Sequence, residues 1–156
     1  MSHPARGPDD RSTVSLRVRR LHDDAVLPTR THASDAGLDL YALEGVLLGP
    51  GERSSVPTGI AVEIPDGQAG LVLPRSGLAA AHGIALVNSP GLIDAGYRGE
   101  IRVLLLNTDR ACGYQVSRGD RIAQLLLIVV ETPSVVEVGA LADSLRGPDG
   151  FGSSGS

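Results

Sequence analysis

Three segments carry side chains that their surroundings do not explain. In the first, Arg75 and Ser76 follow Leu71-Val72-Leu73-Pro74 directly, so a cation and a hydroxyl stand where a strand ends and a short helix begins. Backbone N–H groups at a helix start favour anions; an ordinary cap beside a surface arginine is the plainer alternative. In the second, Asp94 lies within Gly91-Leu92-Ile93-Asp94-Ala95-Gly96-Tyr97-Arg98-Gly99-Glu100. A carboxylate between an apolar pair and a glycine-flanked tyrosine suits a hairpin beside a pocket, where it can orient and deprotonate water. A turn aspartate is the other reading. In the third, Gln124 interrupts the aliphatic stretch from Ile122 to Val130. On a strand apolar on both faces, an amide must find partners or cost on the order of 1–3 kcal/mol. It is either a satisfied core amide or a donor presented to a ligand.

Composition narrows the chemistry. All 14 cationic side chains are arginines. Without lysine there is no Walker A lysine, no Schiff base and no lysine general base, whereas arginine is the better fork for phosphate oxygens. A net charge of −4 argues against a broad nucleic-acid face. Cys112 is the single cysteine and sits in a polar stretch, which excludes an intrachain disulfide and a cysteine-based metal site. His3, His22, His32 and His82 have no zinc-ligand spacing. Asp35-Ala36-Gly37 and Asp94-Ala95-Gly96 form two Asp-x-Gly triplets, but both lack the Ser or Thr that steadies an aspartic-protease dyad.

The elements that must position these groups are short. Val14, Leu16 and Val18 alternate with polar residues as in a half-buried strand. Further apolar stretches occur at 45–48, 60–64, 71–73, 84–87, 101–106, 122–130 and 135–138. Gly49-Pro50-Gly51, Pro65-Asp66-Gly67, Ser89-Pro90-Gly91 and Arg118-Gly119-Asp120 separate them. This punctuation predicts an all-β sandwich or barrel. Its one helix spans Ser76 to His82, with Ser76 or a neighbour as cap. The 156 residues fit one domain. The longest aliphatic run, Leu125 to Val130, is too short for a bilayer span, and Met1 to Thr13 has no signal-peptide core, so no membrane association and a cytoplasmic location are expected. Residues 1–13 read as a disordered segment, 14–145 as the β domain and 146–156 as a flexible glycine-rich arm. Phe151, the only phenylalanine, lies within that arm. A large apolar ring there suits a tail that closes over a flat ligand.

Five segments taken in order resemble the homotrimeric dUTP pyrophosphatase (dUTPase) family. They are Asp35 to Leu40, Pro74 to Ala79, Asn88 to Ile101, Gly119 to Leu125 and Arg146 to Gly155. The resemblance implies a trimeric, jelly-roll-like β-barrel of the β-clip type, with sites at subunit interfaces. It implies Mg²⁺-assisted hydrolysis of dUTP to dUMP and pyrophosphate, which keeps uracil out of DNA and supplies dUMP for dTTP synthesis. By the same resemblance, Asp94 is the general base for water attacking the α-phosphorus, and Asp39 anchors magnesium, through water. Arg75, Ser76, Gly77 and Gln124 hold phosphate oxygens. Asn88 and the Tyr97 backbone read uracil in a tight β-hairpin, and the Tyr97 ring packs on the deoxyribose and excludes a 2′-hydroxyl. Arg146, Phe151, Ser153 and Ser154 close over the base and γ-phosphate from another subunit. The family often has glycine where this chain has Pro148-Asp149, which stiffens the arm and adds negative charge.

Two neighbouring readings share that scaffold. A dCTP deaminase uses a glutamate at the position aligned with Leu104, and leucine cannot relay a proton. A non-catalytic nucleotide-binding trimer is expected to have lost Asp94 or the arm, and both are present.

Overall fold

The structure is a computed structural model that describes residues 15–144. Eleven strands and one helix follow in the order β1 (Arg17–Arg20), β2 (Leu38–Tyr41), β3 (Val46–Leu48), β4 (Arg53–Pro57), β5 (Ile60–Glu63), β6 (Gln68–Leu73), α1 (Ser76–His82), β7 (Ile84–Leu86), β8 (Gly91–Ile93), β9 (Arg102–Asn107), β10 (Tyr114–Val116) and β11 (Arg121–Val129). All strand pairs are antiparallel. They form a four-stranded sheet β2-β11-β6-β8, a three-stranded sheet β4-β9-β7, and two ribbons, β1-β5 and β3-β10. The all-β class read from the punctuation is what the structure has.

With only three tyrosines, one phenylalanine and no tryptophan in the sequence, the core is aliphatic. Leu40, Leu105, Val116 and Leu125 are wholly buried, one on each of four strands, and they join a single cluster. The main buried polar exceptions are satisfied. Asn107 donates to the carbonyls of Leu48 and Cys112 at 3.1 and 2.9 Å, and the Thr58 hydroxyl donates to the Ile101 carbonyl at 2.6 Å. An unpaired amide or hydroxyl here would cost on the order of 1–3 kcal/mol.

Helix α1 forms where expected, from good helix formers Leu78 to Ala81. Gly83 ends it at φ 63°, a left-handed conformation that suits glycine, and its N–H returns to the Ala79 carbonyl. The cap expected at Ser76 or a neighbour falls to the neighbour. Arg75 is the capping residue, Ser76 is already helical, and no side chain caps the first turn.

Three expectations change. The stretch 135–138 forms no strand: Val135 is 99% exposed, and residues 131–144 all lie open. A strand needs a partner, and this segment pairs with none of the described strands. The central strand β11 is not buried on both faces. Ala123 and Leu125 face the core, while Leu126 and Ile128 are half-exposed. Finally, the segment around Asp94 is not a hairpin. Strand β8 pairs with β6 and β9 with β4 and β7, so residues 94–101 cross between two sheets. Among the described residues, no helix is long and apolar enough to cross a membrane.

Candidate active site

The residues singled out by type fall into two groups. The first surrounds Asp39, on edge strand β2. Its carboxylate is buried, with a side-chain exposure of 6%. Arg75 Nε lies 3.2 Å from Oδ1, Arg121 Nη1 3.3 Å from Oδ2, and Gln124 Nε2 donates to Oδ1 at 3.4 Å. Arg75 also donates to the Arg121 carbonyl at 3.2 Å. The Gln124 amide N–H therefore has a partner, and it is a carboxylate rather than backbone. The Arg75 Nε–H approaches Asp39 at an angle that makes no hydrogen bond, so this buried donor is unspent. Two guanidinium groups around one carboxylate leave the cluster net positive, which suits a polyanion. Ser76 and Gly77 stand exposed at the start of α1, next to Arg75 in the chain.

Arg121 was not among the residues picked out as site candidates, although it lies in the fourth motif. Period-two alternation would set Arg121 and Gln124 on opposite faces of β11. A register shift between Arg121 and Ala123 moves the phase by one residue, so both reach the same carboxylate. The signal available in the sequence was a charged residue at the head of an otherwise apolar strand.

The second group lines a cavity of about 310 Å³ between β8 and β9. Asn88, Asp94 and Tyr97 border it, with Leu104 on the β9 wall. The volume falls at the lower end of small-molecule pockets. It exists because the two arms join different sheets and splay apart. A turn closed by the Tyr97 N–H on the Asp94 carbonyl, at 3.0 Å, presents the carboxylate at the rim, where it is exposed. Arg98 donates to the Tyr97 carbonyl at 2.9 Å and also to that of Ala95. Arg146, Phe151, Ser153 and Ser154 lie outside the described residues.

The two groups are far apart within one chain. Asp39, Gln124 and Leu73 form one row across β2, β11 and β6. Continuing the β6–β8 register sets Asp94 level with Ala69, so it lies three strands across from Asp39 and four positions along. Strand spacing and rise make this about 14 Å across and about 13 Å along, or about 20 Å in the plane of the sheet.

Among the described residues, no three acidic, histidine or cysteine side chains gather as a metal cage. A carboxylate offers about four lone-pair positions, and the hydrogen bonds from Arg121 and Gln124 engage two of those of Asp39. The residues therefore fit a magnesium ion that takes most of its ligands from phosphate and water. They do not fit one held by protein alone.

A family model described as dUTPase matches residues 23–155. A deoxyuridine 5′-triphosphate nucleotidohydrolase of Thermobifida fusca is 57% identical over 143 residues, covering 92% of this chain and 80% of that protein. The enzyme of the same name from Mycolicibacterium gilvum is 56% identical over 148 residues, covering 92% and 96%. Among solved structures, a mutant dUTPase of Staphylococcus bacteriophage 80alpha with dUpNHpp superposes with a TM-score of 0.86 at 32% identity, covering 92% of this chain and 100% of that one. A mutant dUTPase from phage phi11 of S. aureus, described with a structural Mg(II) ion, gives a TM-score of 0.77 at 30% identity, covering 81% and 98%.

Proposed function

Since the chain belongs to the dUTPase family, we propose that it hydrolyses dUTP to dUMP and pyrophosphate in an active site assembled from different copies of itself. The carrying observation is the separation of Asp94 from the Asp39–Gln124 row, about 16 Å to Gln124 and about 20 Å to Asp39 in the plane of the sheet. A general base must reach its water directly, and the groups that grip phosphate must act on the same nucleotide. One chain cannot bring them together, but neighbouring chains of a ring can. The homotrimer implied by the motifs answers this need. The half-exposed outer face of β11 and the open apolar residues Val135, Val136 and Val138 are surfaces such neighbours would cover.

In this reading one subunit supplies the cavity. Asn88 and the Tyr97 backbone hold the uracil edge, and the Tyr97 ring packs against the sugar. Asp94 takes the proton from the water that attacks the α-phosphorus. The neighbour supplies Arg75, Ser76, Gly77 and Gln124, whose donors stabilise charge developing on the phosphate oxygens. Its Asp39 aligns Arg75 and Gln124 and would hold magnesium through water. Magnesium, when bound with the triphosphate, neutralises charge and polarises the phosphate oxygens. Arg146, Phe151, Ser153 and Ser154 close the site from a third chain. The enzyme acts in the cytoplasm, on free nucleotide, with no nucleic-acid or membrane partner.

Leu104 bears on the deaminase alternative. It stands on the cavity wall and offers no group to carry a proton. The test is release of pyrophosphate and ammonia from dUTP, dCTP, dTTP and UTP with magnesium present. Pyrophosphate from dUTP alone is expected, and ammonia from dCTP would overturn the assignment. The shared site is tested separately by refolding Asp94→Asn and Arg75→Ala chains together. Random assembly restores about a quarter of the sites if base and arginine come from different chains. No regain of activity in verified mixed trimers would place both groups in one subunit.

A further inference from the structure

The Tyr97 ring is held by two neighbours that the reaction itself does not need. It lies back over Gly99, where an added methyl would collide with the tyrosine hydroxyl and stand 2.6 Å from Cζ. Its hydroxyl donates to the Glu100 carbonyl at 2.9 Å. Tyr97 is 46% exposed, and no aromatic side chain stacks on its ring among the described residues. Free of these two contacts, a half-exposed ring would sample other rotamers.

Glu100 is itself anchored. Its Oε1 accepts the Gly59 N–H at 2.8 Å, and its Oε2 pairs with Arg102 Nη1 at 3.0 Å. Arg102 donates onward to the Ser55 hydroxyl and carbonyl at 3.0 and 2.8 Å. Gly59 has φ 70°, and a methyl there would stand 2.8 Å from Ala25 Cβ, so the turn that receives Glu100 is itself tightly constrained. The next residue is fixed as well: the Ile101 N–H donates to the Ile60 carbonyl at 2.9 Å. The carbonyl that receives the tyrosine hydroxyl is thereby tied to the β4–β5 turn.

We propose that Gly99 and Glu100 are positioning residues that set the Tyr97 ring against the sugar, so that discrimination between deoxyribose and ribose depends on a glycine shelf and an anchored carbonyl. The proposal rests on the reading of Tyr97 as the sugar contact. Gly99→Ala removes no cavity side chain but pushes the Tyr97 ring off its shelf. A gate displaced by about an ångström loses its fit to the excluded hydroxyl, because such exclusion depends on close contact.

The experiment measures kcat/KM for dUTP and UTP in wild type, Tyr97→Ala, Gly99→Ala and the double variant, with circular dichroism and trimer size as fold controls. Tyr97→Ala is expected to erase most of the selectivity. Gly99→Ala is expected to lower it at least about tenfold, mainly through improved use of UTP. In the Tyr97→Ala background, Gly99→Ala should change selectivity no further, as for two residues acting through one group. Tyr97→Phe, which keeps the ring and loses the hydroxyl, should lower selectivity by up to about tenfold, the worth of one hydrogen bond. Selectivity unchanged in Tyr97→Ala would overturn the sugar-contact reading itself. Selectivity lost in Tyr97→Ala but wild-type in a folded Gly99→Ala would overturn the shelf alone. If Gly99→Ala does not fold, the Tyr97→Phe result decides, and wild-type selectivity there would overturn the anchored carbonyl.

Discussion

Replacing Asp39 by asparagine removes one negative charge from between two guanidinium groups and keeps the side-chain shape. The Arg75 side chain is 24% exposed and that of Arg121 44%, while the carboxylate is 6% exposed. Breaking a fully buried pair costs about 3–5 kcal/mol, and an exposed pair is worth about 0–1 kcal/mol. The Arg75 contact lies between these limits and the Arg121 contact near the lower one. The asparagine oxygen still accepts one bond. The expected net loss is about 2 kcal/mol, or about a thirtyfold shift in the folding equilibrium. In urea this moves the midpoint by about 1 M for a typical slope. The assay is equilibrium unfolding at one fixed protein concentration, because association contributes to stability. Arg121→Gln, at the more exposed pair, should shift the midpoint less. Turnover reports the second consequence. With Arg75 and Gln124 no longer aligned, kcat/KM for dUTP should fall by about a hundredfold, the scale of losing one preorganised donor. An unchanged midpoint and unchanged KM, with only a higher magnesium requirement, would refute the idea that Asp39 organises the arginines and leave it as a metal anchor alone.

Asp94→Asn should bind dUTP normally by calorimetry and lose turnover by at least about a hundredfold; near-normal rates would remove Asp94 as the base. Phe151→Ala should slow turnover without moving the unfolding midpoint, and equal rates at limiting and saturating substrate would mean the ring closes over nothing. Gly70→Ala would place a methyl 2.8 Å from Ile64 Cδ1 and 3.0 Å from Leu125 Cδ1. Such overpacking should destabilise by about 1–3 kcal/mol in thermal or urea unfolding, and an unshifted midpoint would mean the core yields there without strain.

Part of this molecule is written in local chemistry. Glycine and proline break the chain wherever they force turns, so the all-β class and the short strands were legible, as was α1 with its glycine stop. The side chains out of keeping with their surroundings, Arg75, Asp94 and Gln124, were legible too, because a polar group in an apolar stretch demands a partner. The partner's identity was not. Gln124 meets Asp39, 85 residues away, because β11 pairs with β2, and Arg121 joins them only through a shift in register. A one-dimensional pattern states that a strand has a buried face. It does not state which edge it joins, since pairing depends on contacts between distant segments. For the same reason the segment around Asp94 read as a hairpin but crosses between sheets, and 135–138 read as a strand but has no partner strand among the described residues. Tertiary structure alone decided that Asp94 and the cluster of Asp39, Arg75 and Gln124 lie far apart on one sheet, because the order β2-β11-β6-β8 separates segments by pairing and not by their distance in sequence.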